Sequence, residues 1–101
     1  MELKKICEKA HKTAVEHGFY NHVHEDRDGI CVPSKIALIH SELSEALEDD
    51  RIGSSKIGEE LADAVIRIAD LAEYLKIDLE KEIERKMKIN EKRPFKHGKL
   101  Y

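Results

Sequence analysis

The sequence predicts an all-α fold, a four-helix bundle whose core is completed by association with further copies of the chain. Three observations predict it. Apolar residues recur at helical spacing in four successive segments. The chain is 39% charged, with no Trp, two Pro and five Gly, a balance that suits solvated helices better than a many-turned β-sandwich. At 101 residues it makes one small domain, 1–101, and such a domain leaves a large share of its surface outside a single core.

The first helix is expected over residues 2–17. Leu3, Ile6, Cys7, Ala10 and Ala14 form one apolar stripe, with Gly18 as the C-cap. Cys7 on that stripe reads as a small core residue. Glu8 and His11 make a Glu-x-x-His, half of a bundle di-iron site, but there is no second such pair and Glu8 points away from the stripe. Residues 18–32 form a polar connection. His17, His22 and His24 offer imidazoles to a transition metal, although a loop His-x-His without further ligands reads better as solvated. Phe19 and Tyr20 have two readings: they plug the gap between helices, which is favoured, or they stack on a base at the mouth of a polar site.

Pro33 suits the first position of the second helix, with Val32 extended before it. Ile36, Ile39, Leu43, Ala46 and Leu47 are its expected core stripe. Beside them run Leu38, Glu42, Glu45 and Asp49, with Glu42 closer to the core than Glu45. Glu48, Asp49 and Asp50 crowd the end of this helix, where the macrodipole disfavours acids, and no function is assigned to them. A Gly/Ser-rich turn, 51–56, leads to a long helix from near Ile57. Ile57, Leu61, Ala64, Val65, Ile68, Leu71, Ala72 and Leu75 are its expected core face, flanked by Glu60, Asp63, Arg67, Asp70 and Tyr74. Ala62, Ile66 and Ala69 lie roughly opposite. A helix apolar on more than one side needs burial on more than one side, and another subunit is the expected second surface. Asp78 is the expected N-cap of the last helix, with Leu79, Ile83 and Met87 along its inner side.

Chemistry concentrates in two acidic pairs, Glu42-Leu43-Ser44-Glu45 and Glu60-Leu61-Ala62-Asp63. Each pair sits at i and i+3 on a helix, so its carboxylates project from one side of one turn. Two such turns facing each other make a four-carboxylate cage, and the natural remedy for its repulsion is a divalent cation with oxygen ligands, Mg²⁺ or its substitute Mn²⁺. The segment 85–101 is basic, with Arg85, Lys86, Lys88, Lys92, Arg93, Lys96 and Lys99 against Glu91 alone. An acidic cage and a basic tail, about 91–101, together suit a metal–phosphate ligand. The net charge of −3 argues against binding a nucleic-acid polymer. Cys7 and Cys31 lack CxxC spacing, and neither a signal peptide nor a long apolar run occurs, so a cytoplasmic chain with reduced thiols and no membrane association is expected.

The runs Ser41-Glu42-Leu43-Ser44-Glu45-Ala46-Leu47-Glu48 and Glu59-Glu60-Leu61-Ala62-Asp63-Ala64-Val65-Ile66-Arg67 are followed by Lys86-Met87 to Asn90, Arg93-Pro94 and His97-Gly98-Lys99. Together they resemble the MazG-like branch of the all-α nucleoside triphosphate pyrophosphohydrolases, over about two thirds of the chain from Pro33 onward. The resemblance implies a homodimer or dimer of dimers that hydrolyses a (d)NTP to (d)NMP and pyrophosphate in nucleotide-pool house-cleaning. It implies Glu42, Glu45, Glu60 and Asp63 as catalytic Mg²⁺ ligands, and Lys86, Asn90, Arg93 and Lys96 as contacts to phosphate or sugar. Arg67 would either brace Asp63, one turn before it, or reach the nucleotide. Where some members of that family carry a further Glu, this chain has Ser41. The alternative from another class is a non-catalytic helical interaction module whose acidic pairs are solvated faces.

Overall fold

In the computed structural model, which describes residues 1–21 and 29–101, the four periodic segments form four α-helices: α1, Leu3–Glu16; α2, Cys31–Arg51; α3, Ile57–Tyr74; and α4, Leu79–Glu91. A 3-10 turn follows at Phe95–Gly98, and no strand occurs among the described residues. His22 and His24 lie outside those residues.

Local chemistry sets the helix ends. Gly18 takes φ +84° just beyond α1, and the N–H of Phe19 reaches back to the carbonyl of Ala14, the Schellman arrangement that glycine makes easy. Asp78 accepts a hydrogen bond from the N–H of Lys81, so the expected cap of α4 is formed. The start of α2 corrects the expectation, because the helix begins two residues before Pro33. Proline is tolerated there since the first four N–H groups of a helix have no intrahelical partner to lose.

The central helix is α3, with α1 and α2 both packed on it and α4 resting on α1. Small side chains line these contacts: Cys7, Cys31, Ala46, Ala64, Ala69 and Ala72 are buried, with Leu71 the largest apolar residue among them. The bulky aliphatic stripes are not the core of the single chain. Ile36, Leu43 and Leu47 on α2, and Ile57, Leu61, Val65, Ile68 and Leu75 on α3, are exposed. Ala69, assigned to the far side of α3, has no exposed surface at all. Both helices are apolar on more than one side, and helical spacing does not say which side meets a neighbour within the chain. On α4, Leu79 is half-buried while Ile83 and Met87 are exposed. Among the described residues no helix is long and apolar enough to cross a membrane.

Candidate metal and ligand site

The turn after α2 sends α3 back alongside it, so the C-terminal half of α2 faces the N-terminal half of α3. This brings one carboxylate oxygen each from Glu42, Glu60 and Asp63 within 4.8 Å of one another. Glu59 and Glu60 lie in the first turn of α3, where the helix macrodipole favours negative charge. That benefit does not remove the crowding. A hydrogen bond with Glu45, together with desolvation and the charges of Glu45, Asp49 and Asp63, pushes Glu60 from the ordinary 4.5 up to about 7. All four expected carboxylates are therefore neighbours. The same interaction brings in Asp49, whose Oδ2 is buried without a hydrogen-bond partner among the described residues.

Asp49 carries no assigned role on sequence grounds alone. Its signal was present nevertheless, since it continues the Glu42–Glu45 stripe by one further turn of α2. Arg67 is the cation paired with this cluster among the described residues. Its Nε donates to Glu42 Oε1 at 2.8 Å, so the partner it braces is Glu42 and not Asp63. The Glu42 side chain is only 11% exposed, and a buried carboxylate needs a counter-charge more than the partly exposed Asp63 does.

Glu42, Asp63 and Arg67 also form one wall of a cavity of about 580 Å³ between α1 and the α2–α3 pair. Ile6, Ala10, Ala14, Phe19 and Ile66 give it an apolar lining, and Lys9 and Lys35 add positive charge. Lys35 and Asp70 lie seven residues from Glu42 and Asp63 respectively, roughly 10 Å along the helix axes at 1.5 Å per residue. The cavity thus runs from a carboxylate end to a second polar end.

At that second end Asp70, itself buried, accepts a hydrogen bond from the Tyr20 hydroxyl at 2.9 Å and lies 2.9 Å from His11 Nδ1 through the same Oδ1. Burial and the bond to Asp70 both raise the Tyr20 phenol above its ordinary range. The Tyr20 ring packs edge-on to His11 and tilted on Tyr74. Lys35 Nζ donates to the Phe19 carbonyl at 2.9 Å and stands 4.2 Å from the Tyr20 ring centroid. The two members of the aromatic pair differ in setting. Tyr20 fills the gap between helices, while Phe19 is more than half exposed on the cavity wall. Glu8 is exposed, and its neighbour in the Glu-x-x-His motif, His11, is spent on Asp70.

Compared with protein-family models, curated proteins and solved structures, the chain shows no significant match. The chemistry of the site therefore stands on its own geometry.

The donor set fits a hard divalent cation. Every candidate ligand is a carboxylate oxygen, the class Mg²⁺ and Mn²⁺ prefer, and Asp49 supplies a further buried oxygen without a partner. Ligands about 2.1 Å from one octahedral ion lie at most ~4.2 Å apart, close to the spacing observed. The basic C-terminal residues are elsewhere. None of Lys86, Asn90, Arg93 and Lys96 lines the cavity. Arg93 Nη1 lies 3.1 Å from His97 Nδ1, and Lys96 Nζ is directed to the Leu100 carbonyl. The carbonyl oxygen of the Asn90 side chain is buried without a partner among the described residues. Within one chain the expected phosphate contacts are thus not assembled with the acidic cluster, because α4 packs chiefly on α1.

Proposed function

We propose that the protein is a divalent-cation-dependent nucleoside triphosphate pyrophosphohydrolase of the MazG-like kind, converting a (d)NTP to (d)NMP and pyrophosphate. The observation that carries this reading is the convergence of Glu42, Glu60 and Asp63, two of which, Glu42 and Asp63, line a cavity that also presents Lys9, Lys35, Arg67 and an apolar lining. Glu42, Glu45, Glu60 and Asp63 would hold Mg²⁺, with Mn²⁺ as a substitute. When bound, the cation supplies neutralisation of the phosphates and acidification of a water for attack on phosphorus. The protein's own residues bind and orient. Arg67 and Lys9 offer charge-assisted hydrogen bonds to anionic oxygens, and Ile6, Ala10, Phe19 and Ile66 offer an apolar surface to a base.

Homo-oligomerisation, as a dimer or dimer of dimers, belongs to the same reading. Its support is the exposed aliphatic face of α2 and α3, which a second copy would cover. Lys86, Asn90, Arg93 and Lys96 would then reach the ligand from a neighbouring copy. The deciding experiment is a screen of canonical and damaged NTPs and dNTPs with Mg²⁺ and pyrophosphate detection, on wild type, Glu42→Gln and Asp63→Asn. Both variants should lose activity by at least the roughly 10–100-fold that loss of even an outer partner of a metal site costs, with the far-ultraviolet circular dichroism unchanged. Wild-type rates in both would refute the assignment. The same exposed face favours a second reading, a non-catalytic helical interaction module. On that reading Mg²⁺ and Mn²⁺ leave thermal stability unchanged.

A further inference from the structure

The guanidinium of Arg67 faces two tasks at once. Through Nε it holds Glu42 Oε1 at 2.8 Å, and it also lines the cavity beside the carboxylates. The partners are unequal: the Glu42 side chain is 11% exposed and fixed on α2, while that of Arg67 is 36% exposed on a long, flexible stem. Around Glu42, the carboxylates of Glu60 and Asp63 converge within 4.8 Å.

From this we infer that Arg67 is a displaceable counter-ion: it neutralises the acidic cluster before a divalent cation enters, yields Glu42 to that cation, and then swings to the phosphate oxygens of the ligand. A cation of charge two makes the arginine's charge redundant at Glu42. Glu42 cannot follow the departing guanidinium, because its carboxylate is buried. Once free, the planar fork, which already lines the cavity, can offer its Nε–Nη edge as well as its Nη–Nη edge to phosphate oxygens in parallel. Cation entry is opposed by the ion pair, and phosphate binding recovers that loss, so the two ligands bind cooperatively through this residue. The inference rests on the metal reading of the cluster and adds to it an order of events and a second partner for Arg67.

The test uses the full chain, with Mn²⁺ alone and then Mn²⁺ with inorganic triphosphate as probes. Free Mn²⁺ is followed by electron paramagnetic resonance and stability by thermal unfolding. Without phosphate, Arg67→Gln should bind Mn²⁺ about tenfold more tightly than wild type, the change expected from removing one charge-assisted hydrogen bond. Its unfolding temperature should fall in chelator and return to the wild-type value at saturating Mn²⁺. With Mn²⁺ saturating, its affinity for triphosphate should be about tenfold weaker than that of wild type. Weaker Mn²⁺ uptake, a stability deficit that persists with Mn²⁺, or unchanged triphosphate affinity would each overturn the inference and make Arg67 a fixed structural brace. If Arg67→Gln does not fold, Arg67→Lys takes its place: it keeps the charge on a more readily displaced group and should still bind Mn²⁺ more tightly than wild type, and equal or weaker binding would overturn the inference. Failure of the wild type itself to take up Mn²⁺ removes the metal reading and this inference together.

Discussion

Arg67 on α3 donates its Nε to Glu42 Oε1 on α2 at 2.8 Å, across 25 residues of sequence, and so ties the two helices together at the acidic cluster. Near this bond the buried apolar residues are the small Ala46 and Ala64, while Leu43 and Leu47 on one helix and Leu61 and Val65 on the other are exposed. Charge balance at this point therefore has consequences for both stability and ligand binding.

Glu60 gives the first of these a pH dependence. Its carboxyl is raised from 4.5 to about 7, so the folded state holds this proton more tightly than the unfolded state does. Stability from this group is fully present below about pH 4.5 and is lost as pH rises through 7. In chelator, the unfolding temperature should decline between pH 5 and 8, and Glu60→Gln should flatten that decline while abolishing pyrophosphate release. Cation binding requires the ionised carboxylate, so Mn²⁺ affinity should rise over the same interval. At a cation concentration about 100 times its dissociation constant the stabilisation should reach ~2.7 kcal/mol, measured as the shift in unfolding free energy. A pH-independent unfolding temperature in chelator would contradict the crowding described for this carboxyl.

Asp70 links α1, the Tyr20 segment and α3 through one oxygen atom that meets both the Tyr20 hydroxyl and His11. Asp70→Ala should strand both partners and cost about 1.5–3 kcal/mol in chemical denaturation, the range for a hydrogen bond to a charged group. The same change should lower the Tyr20 titration toward its ordinary range, read by ultraviolet absorption, because the bond to Asp70 is one of the causes that raise it. Tyr20→Phe should reproduce only part of the stability loss, since His11 keeps its partner.

The aliphatic face of α2 and α3 predicts an association state. Wild type should sediment as a dimer or dimer of dimers, and Leu61→Asp or Val65→Asp, which put a charge on the exposed face, should yield monomers of unchanged helical content. If the wild type is monomeric at all concentrations tested, the proposed route by which Lys86, Asn90, Arg93 and Lys96 reach a ligand is closed.

No residue of α4 is buried as a whole, so its N-terminal cap carries unusual weight. Asp78→Ala should remove about 1 kcal/mol of local stability, seen as faster amide hydrogen exchange over α4 with α2 and α3 unaffected.

Much of the scaffold was legible from one-dimensional signals. Helical spacing found all four helices, Gly18 and Asp78 marked their ends, and the i, i+3 acidic pairs lay on one side of their turns. Asp49 and Asp70 continued stripes already visible on α2 and α3, yet nothing in the sequence raised them above their neighbours. What gives Asp49 weight is an oxygen buried without a partner, and what gives Asp70 weight is contact with His11, 59 residues away.

Sequence by itself determined the elements and their stripes, because periodicity and capping are properties of a single helix and its nearest neighbours in the chain. Tertiary structure decided which stripe became the inside. It turned the small residues Ala64, Ala69 and Ala72 inward and left Leu61, Val65 and Ile68 outward, because small side chains let α1 and α2 both approach α3 closely. It also decided that Arg67 answers Glu42 and not Asp63, since that pairing depends on how α2 and α3 lie against each other, which no single helix encodes.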